Sequence, residues 1–103
     1  MPKIFQYLNY VIRFYSNDHL PIHVHVQVGR EQECKVDFLI HENDLILLFR
    51  KVKGKRPLSQ TQVNEVSVFL KAYKVKIIEK WQKVFIYQQD VTCEVIRLKL
   101  KRK

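Results

Sequence analysis

The sequence predicts an α+β domain: an antiparallel sheet of about four to five strands, drawn from residues 4–52 with 92–100 as a candidate last member, packed against a C-terminal helical segment, 59–88. Three observations predict it. Through the first half of the chain apolar residues recur every second position, the period of a strand with one buried face. From Val63 onward they recur at helical spacing. Between the two regimes Ser59 and Gln62 form a capping-box sequence, the start signal of a helix.

Ile4 to Leu8 reads as a short first strand, with Asn9 in the turn. Tyr10-Val11-Ile12-Arg13-Phe14-Tyr15 is β-branched and aromatic, and it stops at the turn formers Ser16-Asn17-Asp18. In the next strand Ile22, Val24, Val26 and Val28 share one face, and His23, His25 and Gln27 share the other. After Gly29-Arg30-Glu31-Gln32 the alternation resumes. Cys34, Val36, Phe38 and Ile40 are apolar, while Glu33, Lys35 and Asp37 are polar, which together is a hairpin pattern. Both apolar sets must face one core, so odd residues pair with odd. Asp37 then lies opposite His23 or His25. Glu42-Asn43-Asp44 turns the chain into Leu45–Val52, a continuous apolar run that reads as a strand buried on both faces for part of its length. Lys53-Gly54-Lys55-Arg56-Pro57 ends it. The helical segment carries Val63, Val66, Leu70 and Tyr73, then Ile77, Ile78, Trp81, Val84 and Phe85, with a break near Tyr73-Lys74. Lys71, Lys74, Lys76, Lys80 and Lys83 are expected on its outer faces. Ile96, Leu98 and Leu100 alternate in the candidate last strand.

A chain of 103 residues with 47% hydrophobic content, two glycines and three prolines fits one globular domain, 1–103, with a basic tail from about residue 97. No apolar run approaches the roughly 18 residues of a membrane span. Met1-Pro2-Lys3-Ile4 lacks the apolar core of a signal peptide, and Cys34 and Cys93 read as reduced thiols, so the expected compartment is the cytoplasm. Cys34 falls on the core face; His41 is expected to be exposed.

The net charge of +9 is uneven: residues 1–49 carry four basic and six acidic side chains, residues 50–103 fifteen and four. Such a field attracts polyanions. Arg50, Lys51, Lys53, Lys55 and Arg56 would hold phosphates through charge, with little sequence preference. RNA, another polyanion or an acidic protein partner satisfies these features equally, and a solvated face shows the same composition.

Asn17-Asp18-His19-Leu20-Pro21-Ile22-His23-Val24-His25 puts three of the four histidines within seven residues. His23 and His25, two apart on a strand, project together. Three readings follow. His19, His23 and His25 could ligate a divalent metal such as zinc, with Asp18 or Asp37 as a fourth ligand, as in a metal-dependent hydrolase. The same histidines, with Arg13, Tyr15 and Asp37, could run acid–base cleavage of RNA, one imidazole as base, another as acid and the arginine on the developing charge. Or the segment is structural: His19 and Asn17 cap the loop and Pro21 sets its bend.

The motifs carry a resemblance. Met1-Pro2-Lys3-Ile4, Ile12-Arg13-Phe14-Tyr15, the Asn17–His25 signature, Gly29, Asp37, Gly54-Lys55-Arg56-Pro57-Leu58 and Trp81 resemble the small bacterial family called domain of unknown function 4160, over roughly residues 1–88. Ile22 and Val24 stand where many members have proline and phenylalanine; both lie on the core face and leave the histidine face unchanged. The resemblance implies an α/β fold, no established activity, and a place in toxin–antitoxin-like pairs. The leading expectation is therefore a cytoplasmic bacterial domain that binds nucleic acid, RNA above all, as the toxin-like half of a pair. The alternatives are the metal-dependent hydrolase and a protein-interaction domain without catalysis. An exposed edge strand would permit a dimer, and nothing in the sequence demands one.

Overall fold

Period-two alternation yields strands up to Lys51 and helical spacing yields helices from Gln60. The computed structural model describes residues 3–14 and 22–100. In chain order these form β1 (Lys3–Tyr7), β2 (Tyr10–Arg13), β3 (His23–Val28), β4 (Gln32–His41), β5 (Asp44–Lys51), α1 (Gln60–Ala72), α2 (Lys74–Phe85) and β6 (Glu94–Ile96). The strands make one six-stranded sheet in the order β5-β4-β3-β2-β1-β6. The fold is α+β, with one strand more than the upper expectation.

All neighbours from β1 to β5 are antiparallel, whereas β6 runs parallel to β1. A parallel neighbour needs a long crossover, and the two helices supply it. The last strand is shorter than the predicted 92–100: only Glu94–Ile96 pairs, and Leu98 is 81% exposed. Residues 99 and 100 are nevertheless docked. The Leu100 amide donates to the Tyr7 hydroxyl at 2.9 Å, and Lys99 Nζ lies 3.2 Å from Glu65 Oε2.

Local geometry follows the sequence. Glu42 and Asn43, both at positive φ (50° and 69°), make the two-residue turn between β4 and β5, where both central residues must be left-handed. Ser59 caps α1 with both halves of the capping box formed, and the chain breaks at Tyr73 between the helices.

The helices cover the face carrying Tyr10, Ile12, Val24, Val26 and Val36, all but inaccessible to solvent. Aromatic contacts hold the layers together. Phe69 stacks on Tyr7 at 4.5 Å and meets Phe5 edge-on at 5.3 Å, and Phe85 meets Phe14 at 5.7 Å. Two expectations are corrected here. Lys80 is not on an outer face: β6 and the chain before it close over the helix, and Nζ donates to the carbonyls of Ile4 (3.0 Å) and Thr92 (2.8 Å) and lies 3.4 Å from Glu94 Oε2. Nor is β5 buried on both faces. It is the sheet's edge, and Ile46 and Leu48 are 47% and 44% exposed.

Candidate functional site

The pleat sends odd-numbered residues of β2, β3 and β4 to the sheet face opposite the helices, and the β4–β5 register adds the even-numbered residues of β5. Arg13 is opposite His25, His25 opposite Lys35, and Lys35 opposite Arg50. Four basic side chains thus stand abreast on four adjacent strands. One rung away His23 is opposite Asp37, which settles the sequence's two alternatives.

Like charges placed opposite one another repel, so the row needs counter-charge. Two buried carboxylates on β4 supply it, one on each side of Lys35. Glu33 accepts from His25 Nδ1 at 3.0 Å and from Gln27 Nε2 at 2.9 Å. Asp37 Oδ2 lies 3.0 Å from Arg50 Nε. Both acids are under 5% exposed. Asp37 Oδ1 and Arg13 Nε are buried with no hydrogen-bond partner among the described residues. An ionised carboxylate only accepts, so Glu33 fixes the proton of a neutral His25 ring on Nδ1 and makes Nε2 the nitrogen that exchanges protons. The ring centroids of His23 and His25 are 6.0 Å apart, tilted by 59°.

Of the sequence-predicted residues, the fold brings His23, His25, Arg13, Asp37 and Arg50 onto one face. His19 lies outside the described residues, as do Tyr15, Asn17, Asp18 and Pro21. Among the described residues no group of three or more His, Cys, Asp or Glu side chains is arranged to hold a metal ion, so the metal reading turns on His19. The 50–56 block does not form one surface. Arg50 is committed to Asp37, and Lys51 projects to the opposite face. Lys55 Nζ donates to the Arg30 carbonyl at 2.9 Å, and Arg56 Nη2 lies 3.0 Å from Glu31 Oε2. These last residues, with Gly54, line an open depression of about 540 Å³ at the end of the β3–β4 hairpin away from His23. It contains that exposed ion pair and no imidazole.

Two members of the site, Glu33 and Lys35, were not singled out from the sequence. Their odd parity was the signal: it places both beside His25 once the register is fixed. Cys34, between them in sequence, points into the core, and burial, with the charge of Glu33 second, pushes its thiol up to about 12. It is inert as a nucleophile at neutral pH. Cys93 is exposed, and His41 projects into solvent beside Glu42.

No described helix is long and apolar enough to cross a membrane. Residues 9–82, spanning β2 to most of α2 and both described histidines of the signature, match a family described as a domain of unknown function (DUF4160). No curated protein and no solved structure matches the chain.

Proposed function

Since the chain belongs to the DUF4160 family of domains of unknown function, a membership that prescribes no activity, we propose from the site itself that it binds RNA along the sheet face that carries His23, which is 6% exposed, and His25, and cleaves it there with that imidazole pair. The observation that supports this is the cross-strand row Arg13, His25, Lys35 and Arg50, with His23 beside it. Four strands at about 4.8 Å spacing make a basic stripe of roughly 14 Å, wide enough for consecutive phosphates. The net charge of +9 draws the polyanion in.

The chemistry uses groups already oriented. His23 takes the proton of the 2′-hydroxyl, and the 2′-oxygen attacks the adjacent phosphorus. The bond to the 5′-oxygen breaks as the protonated form of His25, oriented through Nδ1 by Glu33, gives it the proton on Nε2. The products are a 2′,3′-cyclic phosphate and a free 5′-hydroxyl. Arg13 stabilises the charge that builds on the phosphoryl oxygens. Asp37 acts at one remove, keeping Arg50 against the face. An RNA-cleaving domain is harmful to its own cell unless restrained, which fits a toxin-like component with a neutralising partner.

The test is cleavage of a single-stranded RNA in the presence of a chelator, with product ends identified. Cyclic-phosphate ends, loss of at least a hundredfold in rate for His25→Ala and for His23→Ala, and an inert 2′-deoxy substrate are expected. RNA bound without cleavage would leave only the binding half of the proposal. Activity that appears only when a metal is added would favour the hydrolase reading through His19.

A further inference from the structure

The strand whose sequence asks for burial on both faces, β5, is the one the sheet leaves at its edge. Its interior, Leu45-Ile46-Leu47-Leu48-Phe49, has no charge, no proline and no bulge, and all eight of its residues pair in unbroken register with β4. Edge strands are ordinarily protected by such devices, and a long, flat, apolar edge without them is a template for another strand. Among the described residues neither of its faces is fully covered. Ile46 and Leu48 are exposed on the histidine face beside Leu39, and Leu45, Leu47 and Phe49 are only partly buried on the helix face. The opposite edge differs: β6 is three residues long.

We propose that two copies of this chain pair β5 against β5, antiparallel, about a two-fold axis at Leu47, giving one continuous twelve-stranded sheet. The strand is complementary to its own reverse in that register. On the histidine face Asp44 of each copy meets Arg50 of the other, and Ile46 meets Leu48. On the helix face Leu45 meets Phe49 and Leu47 meets itself. A slip of two residues in either direction destroys this match. One slip places Ile46 opposite Arg50; the other runs the ladder into the Glu42-Asn43 turn. Charge complementarity therefore selects both the occupant, a second copy, and the register. Because paired residues share parity, the two histidine faces lie on one side of the combined sheet. Arg50 is then flanked by Asp37 of its own chain and Asp44 of the other, so the second copy completes the counter-charge of the basic row. The inference rests on the edge strand alone and holds whether or not the face cleaves RNA.

The experiment is the solution mass of the full chain by light scattering after gel filtration, together with oxidative cross-linking. Wild type is expected at twice the 12.5 kDa of one chain. Ile46→Lys, at a position already exposed, is expected at the mass of one chain with an unchanged circular dichroism spectrum. In a Cys93→Ser background, Leu47→Cys should form a covalent dimer, since directly opposed residues sit within disulfide reach. Leu45→Cys should not, since its two copies would lie about 14 Å apart. A wild type that stays at the mass of one chain across micromolar concentrations overturns the proposal, even if the edge then accepts a strand of another protein. So does a dimer that Ile46→Lys leaves intact, or one cross-linked by Leu45→Cys and not by Leu47→Cys.

Discussion

Tyr10 donates a 2.6 Å hydrogen bond to Glu65 Oε1, tying β2 to α1 across the core. That bond, opposed by partial burial and aided by Lys99, holds the Glu65 carboxyl below its usual range. Burial, then Glu65, pushes the Tyr10 phenol above its usual 10. The two shifts set opposite ends of a stability window. A carboxyl depressed in the folded state stabilises above its unfolded pKa of about 4.3 and loses that contribution as pH falls through the folded value. A raised phenol stabilises below about 10 and is lost as pH climbs past it. Tyr10→Phe should therefore cost about 1–2 kcal/mol near neutral pH. The gap between wild type and Glu65→Gln should close as the pH drops below about 4. Urea unfolding at a series of pH values measures both, and a gap that stays constant in acid would refute the assignment. None of this was legible in the sequence, where 55 positions separate the two residues. Asp37 was legible, because parity confines an odd residue on β4 to the histidine face. Lys80 was misread for the converse reason. A helical wheel treats every outward position as solvent, and only tertiary structure reveals that the returning chain covers this one.

At the scale of elements, the start of α1 was the clearest signal and carries more than a cap. The Gln62 side-chain oxygen accepts from the Ser59 amide at 2.8 Å and from Gln32 Nε2 at 2.9 Å, and its amide donates back to Gln32 at 3.2 Å. The helix start is thereby bolted to the start of β4. Ser59→Ala removes one capping acceptor and should cost about 1 kcal/mol. Gln62→Ala removes the other half of the box and the bridge to β4, so it should cost more, about 2 kcal/mol. Chemical denaturation of the two variants decides it; equal losses would mean that the bridge contributes nothing. The helix break at Tyr73 was equally readable, since the apolar spacing shifts phase there. The edge position of β5 was not. Periodicity reports how many faces of a strand are apolar, and it says nothing about what covers them. A strand of this composition at an edge signals an absent neighbour, and the same ambiguity explains why the sequence could permit a dimer without requiring one.

Across the whole molecule, charge is segregated by use. Five of the ten acids are spent locally: Glu31 on Arg56, Glu33 on His25, Asp37 on Arg50, Glu65 on Lys99 and Glu94 on Lys80. The surplus cations are distributed between the basic row and the exposed lysines of the helices, among them Lys71, Lys74, Lys76 and Lys83. These two populations lie on opposite faces of the sheet, so they separate a general field from a contact. A long-range field raises the association rate and is screened by salt, whichever lysine supplies it. A phosphate held directly releases counterions, and on a single strand each such contact contributes about 0.7 to the slope of log affinity against log salt. Lys35→Gln should therefore reduce that slope by about 0.7, while Lys74→Gln, of equal charge change, should leave it within error of wild type. Fluorescence anisotropy with one RNA over several salt concentrations measures both. Equal slopes for the two variants would move the binding surface off the histidine face. A reduced slope for Lys74→Gln alone would place it on the helices, and the buried carboxylates around His25 would then be a device for holding the sheet together.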